Sequence, residues 1–109
     1  MTFQTLDYII AIAEEKSISK AADRLLLSQP ALSRQLKRVE ESLDTKLFAR
    51  EQNEMHLTDA GKIYVNGARS IQNIYERALN DIRKLSQSGR HQITFIYNNI
   101  LLPDFSTEI

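Results

Sequence analysis

Cysteine is absent from this chain, which excludes disulfides, thiolate metal sites and cysteine nucleophiles. Histidine occurs only twice, as His56 and His91, far apart and without metal-ligand spacing. Glycine is scarce, at 3 residues, and no glycine-rich phosphate loop is present. No apolar run approaches the ~18–20 residues needed to cross a bilayer, so no membrane partner is expected. The N-terminus has no basic-then-apolar signal layout, and a cytoplasmic protein is the expectation. Charge of one sign is missing too. The 14 basic and 14 acidic side chains cancel, so a nucleic-acid partner would require cations gathered locally. The 109 residues suffice for one small domain plus an appendage.

What is present is mainly helical periodicity. Phe3, Leu6, Ile10 and Ala13, widened by Ile9 and Ala11, predict an amphipathic helix ending near Glu15. Ser17 or Ser19 can cap a short second helix over Lys20–Leu26. Ser28 can cap a third, with Pro30 in its first turn, where a missing N–H does no harm. Leu32, Leu36, Val39 and Leu43 then step along one face to Asp44, where a left-handed residue is expected. Lys46–Arg50 and Met55–Leu57 predict a small β-hairpin, although its turn contains no glycine. Thr58 caps a long helix to about Ser86, on the order of 40 Å at ~1.5 Å per residue. His91–Tyr97 alternates like a strand.

With the apolar face of the third helix assigned, Gln29, Pro30, Ser33, Arg34, Lys37 and Arg38 point elsewhere. Three cations and no acid occur between Ser28 and Val39. Arg34 can fork onto the O6 and N7 of guanine, Gln29 can pair with adenine, and small Ser33 permits close approach. The N–H groups near Ser28, with Lys37 and Arg38, suit phosphates. A basic amphipathic helix alone is equally an ordinary solvated face. The preceding helix shifts the balance. Ala21 and Ala22 allow a close helix crossing, and Leu25 and Leu27 can close a shared core, which makes a helix-turn-helix able to enter the major groove.

The run SISKAADRLLLSQPALSRQLKRVEESLDTKLFAR, followed by LTDAG at Leu57–Gly61, closely resembles the N-terminal winged helix-turn-helix of LysR-type transcriptional regulators. The resemblance covers roughly Phe3 to Leu85, with AA-x-x-L, SQPALSRQ, LF-x-R and LT-x-AG in order. It implies a mainly α fold: three helices with a small β-hairpin wing (1–58), a linker and dimerisation helix (59–88), and the start of an effector-binding α/β domain (89–109). It implies base contacts at or beside Gln29, Pro30, Ser33 and Arg34, and backbone contacts near Ser28, Lys37 and Arg38. Arg50 would lead into a wing at the minor groove. Two departures stand out: Asp44 replaces the usual glycine, and the wing reads Glu51-Gln52-Asn53-Glu54. Carboxylates facing phosphates repel, so specificity is expected to fall mainly on the third helix.

Along the long helix Tyr64, Ala68, Ile71, Tyr75, Ala78, Ile82 and Leu85 recur at three- and four-residue steps, with Ile63, Ile74 and Leu79 beside them. A stripe this long predicts a partner helix, although folding back onto its own domain is the alternative. In the family resembled, this helix pairs antiparallel with its copy, so that two recognition helices read an inverted repeat. Gly61 is expected to allow this helix close to the first three. The residues after 90 are too few for an effector domain, so an inducer pocket is expected only in a full-length relative.

The function expected is a dimeric, sequence-specific binder of double-stranded DNA from a bacterial, nucleoid-associated regulator, with no cofactor. The alternative is a helical interaction module, a truncated paralogue forming mixed dimers with a full-length regulator. Catalysis is the weakest class, because Ser33 beside Arg34 lacks both a base and an oxyanion hole.

Overall fold

Each of the first three helices begins at a hydroxyl that takes over an orphan backbone N–H. In the computed structural model, which describes residues 2–88, Thr2 precedes α1 (Phe3–Glu15) and accepts from the N–H of Thr5. Ser17 does the same for α2 (Ile18–Leu25) through Lys20 N, and Ser28 for α3 (Gln29–Leu43) through Ala31 N. Each such cap contributes ~1 kcal/mol. The chain leaves all three helices through a left-handed residue, and none is glycine: Lys16, Leu26 and Asp44, at φ 57°, 61° and 53°. Asp44 therefore meets the expectation for its position.

A two-stranded antiparallel hairpin follows, β1 (Phe48–Glu51) paired with β2 (Glu54–Leu57). Glu51 lies opposite Glu54, which leaves Gln52 and Asn53 as a two-residue turn. Both adopt positive φ, 52° and 65°. That is the type I′ turn whose twist suits a hairpin, formed here without glycine. Helix α4 then runs over Asp59–Ser88. The order is three helices, a hairpin and a long helix, a mainly helical winged helix-turn-helix.

The core is made where α1, α2 and α3 meet the hairpin. Ile9, Ile12, Leu32, Leu47 and Val65 are its largest fully buried side chains. Ala21 and Ala22 are buried with them, while Leu25 and Leu27 pack partly against the cluster. Small side chains on α2 thus let its neighbours approach, and flanking leucines close the seam. Phe3 and Leu43, at the ends of their helical stripes, remain exposed.

The hairpin is held by backbone polar groups more than by area. Met55 N donates to Lys16 O at 3.0 Å, joining β2 to the end of α1. Thr58 N donates to Leu47 O at 3.0 Å, and Thr58 Oγ1 donates to Lys46 O at 2.7 Å. The same hydroxyl accepts from Gly61 N at 3.0 Å, so Thr58 both caps α4 and ties it to the segment entering β1.

The chain divides into two compact units, residues 1–72 and 73–109. The first half of α4 belongs to the first unit, because Val65 and Ala68 are buried in its core. In the second unit, described over 73–88, Ile74 and Ile82 are 53% and 57% exposed, and Arg83 donates to Asn80. The strand expected over His91–Tyr97 and the segment expected at 89–109 lie outside the described residues.

Candidate nucleic-acid interface

The candidate surface is built on the N-terminal half of α3. Leu27 N donates to Ala22 O at 2.9 Å, closing α2, and Ser28 then opens α3. Pro30 occupies the first turn. Leu32 and Leu36 anchor the helix in the core. The opposite face is thereby forced outward, and Ser28, Gln29, Pro30, Ser33, Arg34, Lys37 and Arg38 are all exposed. The structure brings these seven expected positions onto one helix and its cap. Arg50 is exposed on β1, apart from them in the wing.

Charge pairing separates these cations from Arg24, Lys46 and Arg69 of the same unit, while Lys16, Lys20 and Lys62 are unpaired as well among the described residues. Arg24 sits 2.9 Å from Glu14 and 3.1 Å from Glu15, and Arg69 lies 3.1 Å from Glu14. Lys46 is 3.7 Å from Glu40. Among the described residues, no carboxylate lies within ion-pair reach of Arg34, Lys37, Arg38 or Arg50. Their guanidinium and ammonium groups remain available to an external anion.

Glu40 is the exception on α3. It is 8% exposed, and its Oε2 accepts from Leu47 N at 2.7 Å and Phe48 N at 3.4 Å. One carboxylate therefore fixes the start of the wing strand to the recognition helix. Sequence reasoning missed this role. Its signal lies in residues 47 and 48, which helical periodicity cannot connect to residue 40.

Around α1, α2 and the first half of α4 a second polar cluster forms. Glu14 joins Arg24 to Arg69, and Asp7 accepts from Gln72. The hydrogen bond from Arg24 holds the Glu14 carboxyl below its ordinary value, with burial opposing and Arg69 adding to the effect. These pairs are substantially exposed and therefore weak individually. They orient α4 more than they stabilise it.

At the wing tip the like-charged Glu51 and Glu54 face each other across the strands, and His56 lies 3.4 Å from Glu54. Two grooves flank α3 toward its C-terminal half. One of about 310 Å³ is lined by Lys37, Glu40, Glu41, Asp44, Thr45 and Lys46. The other, about 280 Å³, runs past Thr5, Gln35, Arg38, Val39, Ser42, Leu43 and Tyr64. The Tyr64 hydroxyl is buried without a hydrogen-bond partner, and burial pushes its pKa up.

The expected pairing residues divide by environment. Ala68 is buried in the first unit, and Tyr64 packs partly against its core with its remaining surface toward the groove of Thr5 and Arg38. Ile71 is exposed in that unit, as is Ile63. In the second unit Tyr75, Ala78 and Ile82 are exposed and Leu85 is half-buried. The stripe read from the sequence is thus divided: its first turns fold back onto the domain that precedes them, and its later apolar residues are exposed or half-buried.

A family profile described as bacterial regulatory helix-turn-helix protein, lysR family, matches residues 3–62. A protein of Phaeodactylum tricornutum, called a probable RuBisCO transcriptional regulator, is 39% identical over 93 residues, 85% of this chain and 30% of its own length. The HTH-type transcriptional regulator BsdA of Bacillus subtilis is 38% identical over 88 residues, 80% of this chain and 30% of its own. The chain thus spans about three tenths of the length of these relatives. Among solved structures, the DNA-binding domain of BenM on catB site 1 DNA superposes with a TM-score of 0.76 at 32% identity, covering 84% of this chain and 100% of that one. The corresponding CbnR–DNA complex gives 0.70 at 35% identity, covering 79% and 99%.

Proposed function

The chain belongs to the LysR family of bacterial regulatory helix-turn-helix proteins, and we propose that it reads double-stranded DNA with the N-terminal half of α3. Arg34 forks onto a guanine, Gln29 pairs with an adenine, and Ser33 and Pro30 border the bases. Ser28, Lys37 and Arg38 hold the sugar-phosphate backbone, and Arg50 reaches it from the wing. The observation that carries this reading is the clustering of three exposed cations on one face of α3, none within ion-pair reach of a carboxylate among the described residues, in a unit whose Arg24 and Arg69 are both paired. DNA complexes of related domains support it.

Pairing of two chains through α4 belongs to the same proposal. Exposed Ile71, Ile74 and Ile82 supply apolar surface, and a two-fold pair of recognition helices matches an inverted repeat. Residues 1–58 then carry base reading and 59–88 the pairing.

Selecting duplexes from a random pool with the full chain tests the proposal. An inverted repeat is expected, with binding that falls in salt at a log–log slope near −0.9 per phosphate neutralised. Arg34→Ala should relax discrimination at one base pair by roughly 1–3 kcal/mol. Equal binding of random and selected duplex, unchanged by Arg34→Ala, refutes it.

The second reading is a helical interaction module that forms mixed dimers with a longer regulator. The facing carboxylates of Glu51 and Glu54 in the wing favour it. It predicts that Ile82→Asp abolishes activity while Arg34→Ala leaves it intact.

A further inference from the structure

Leu26 stands in the turn between α2 and α3 with 92% of its surface exposed and a left-handed backbone at φ 61° and ψ 40°. Two unfavourable features coincide there. A branched L-residue is disfavoured in this conformation, where glycine or asparagine is the usual occupant. A leucine left in water also gains nothing from burial. Its neighbours do otherwise: Leu25 and Leu27 pack against the core. The turn uses the backbone of this segment, through Leu26 N to Asp23 O at 3.2 Å and Leu27 N to Ala22 O at 2.9 Å, and places no demand on the side chain. Stability of the free chain therefore does not account for a leucine here.

Its position does. Ser28 and Gln29, the start of the reading face, follow within a few residues. When the second helix of a helix-turn-helix enters the major groove by its N-terminal end, the turn ahead of that end comes to the groove mouth. Phosphates offer an isobutyl group nothing. The apolar group presented by the major groove is the 5-methyl of thymine. We propose that Leu26 is a specificity-determining residue that covers a thymine methyl at the edge of the half-site read by α3. The inference rests on the DNA-reading function proposed above.

The test uses a duplex selected from a random pool by the full chain, with its thymines replaced one at a time by deoxyuridine, which removes only the methyl. Wild type should lose about threefold to fivefold in affinity at one position, the value of one buried methyl-sized group. Leu26→Gly and Leu26→Asn accept the left-handed backbone, so their thermal midpoints should equal or exceed wild type. Both should bind the thymine duplex more weakly by the same factor and be indifferent to uridine at that position. Wild-type affinity in both variants, or a uridine effect that persists in them, overturns the assignment. Arg34→Ala on the same duplex distinguishes the two failures. If it weakens binding while the Leu26 variants do not, only the Leu26 assignment falls; if it too is neutral and random duplex binds equally well, DNA reading itself falls.

Discussion

Replacing Gly61 by alanine sets a methyl group against a carbonyl that has little freedom to retreat. A Cβ at this position would lie 2.0 Å from Leu47 O and 2.9 Å from Leu57 Cδ2, whereas ordinary contact begins near 3.4 Å. The separation from Leu47 O must therefore grow by more than an ångström. Leu47 O accepts from Thr58 N, its own N–H is held by Glu40, and the preceding carbonyl is held by Thr58 Oγ1. Overpacking of this kind costs about 1–3 kcal/mol, and displacing the Thr58–Leu47 bond adds about 1 kcal/mol. The gain in helix propensity offsets about 1 kcal/mol. A net loss of about 1–3 kcal/mol remains, and at ~4–8 °C per kcal/mol the thermal midpoint should fall by roughly 5–20 °C. Gly67 is the internal control, since its Cβ would meet nothing within 4 Å. Gly67→Ala should stabilise by about 0.5–1 kcal/mol. Circular dichroism during thermal and urea unfolding reads both. If Gly61→Ala matches or exceeds wild type, the close approach of α4 to Leu47 is not a constraint and the reasoning fails.

Glu40→Ala should cost about 1–3 kcal/mol by stranding the N–H groups of Leu47 and Phe48, and Glu40→Gln clearly less because one acceptor survives; equal urea midpoints for the two would contradict this. Glu51→Lys replaces a facing like-charge pair with an opposite one and should stabilise by about 0.2–1 kcal/mol; it should also tighten DNA binding at low salt, which a titration of labelled duplex would detect. For Glu14 the folded-state pKa is lowered from 4.5, so its stabilisation is complete above that value and is lost as pH falls through the folded-state pKa. Urea midpoints of wild type and Glu14→Gln should accordingly differ at about pH 7 and draw together as pH falls through the lowered folded-state pKa; a constant gap would show that the charge is not the cause.

Local rules made the helical frame legible. Caps at Ser17 and Ser28, the leucine steps of α3 and the left-handed Asp44 all depend on residues within a turn or two of one another. The hairpin was legible in outline, although the absence of glycine concealed how well Asn53 could take positive φ. The exposure of the basic face was legible because burial of Leu32 and Leu36 turns the cations of α3 outward. Distant partners set the rest. Glu40 is buried by amides of the next element, and Ala68 by a core its own period cannot identify. A stripe reports that something covers it, not which surface does. Leu26 sits between two core leucines and was lost among them, since exposure at a left-handed turn is not written in hydrophobicity.

The hydrogen bond from Met55 N to Lys16 O bears on the order in which this chain acquires its shape. A two-stranded hairpin alone is marginal in water. This one is secured by Glu40 on α3, by Lys16 at the end of α1 and by Thr58 ahead of α4, and helices close early through local contacts. The wing is therefore expected to form after the helices and to open before them. The amide protons of Leu47 and Met55 should exchange through a small opening, while those of Leu32 and Leu36 wait for global unfolding. Arg50, on the wing, is thus expected to sit on a less persistent element than the seven candidate positions on α3 and its cap.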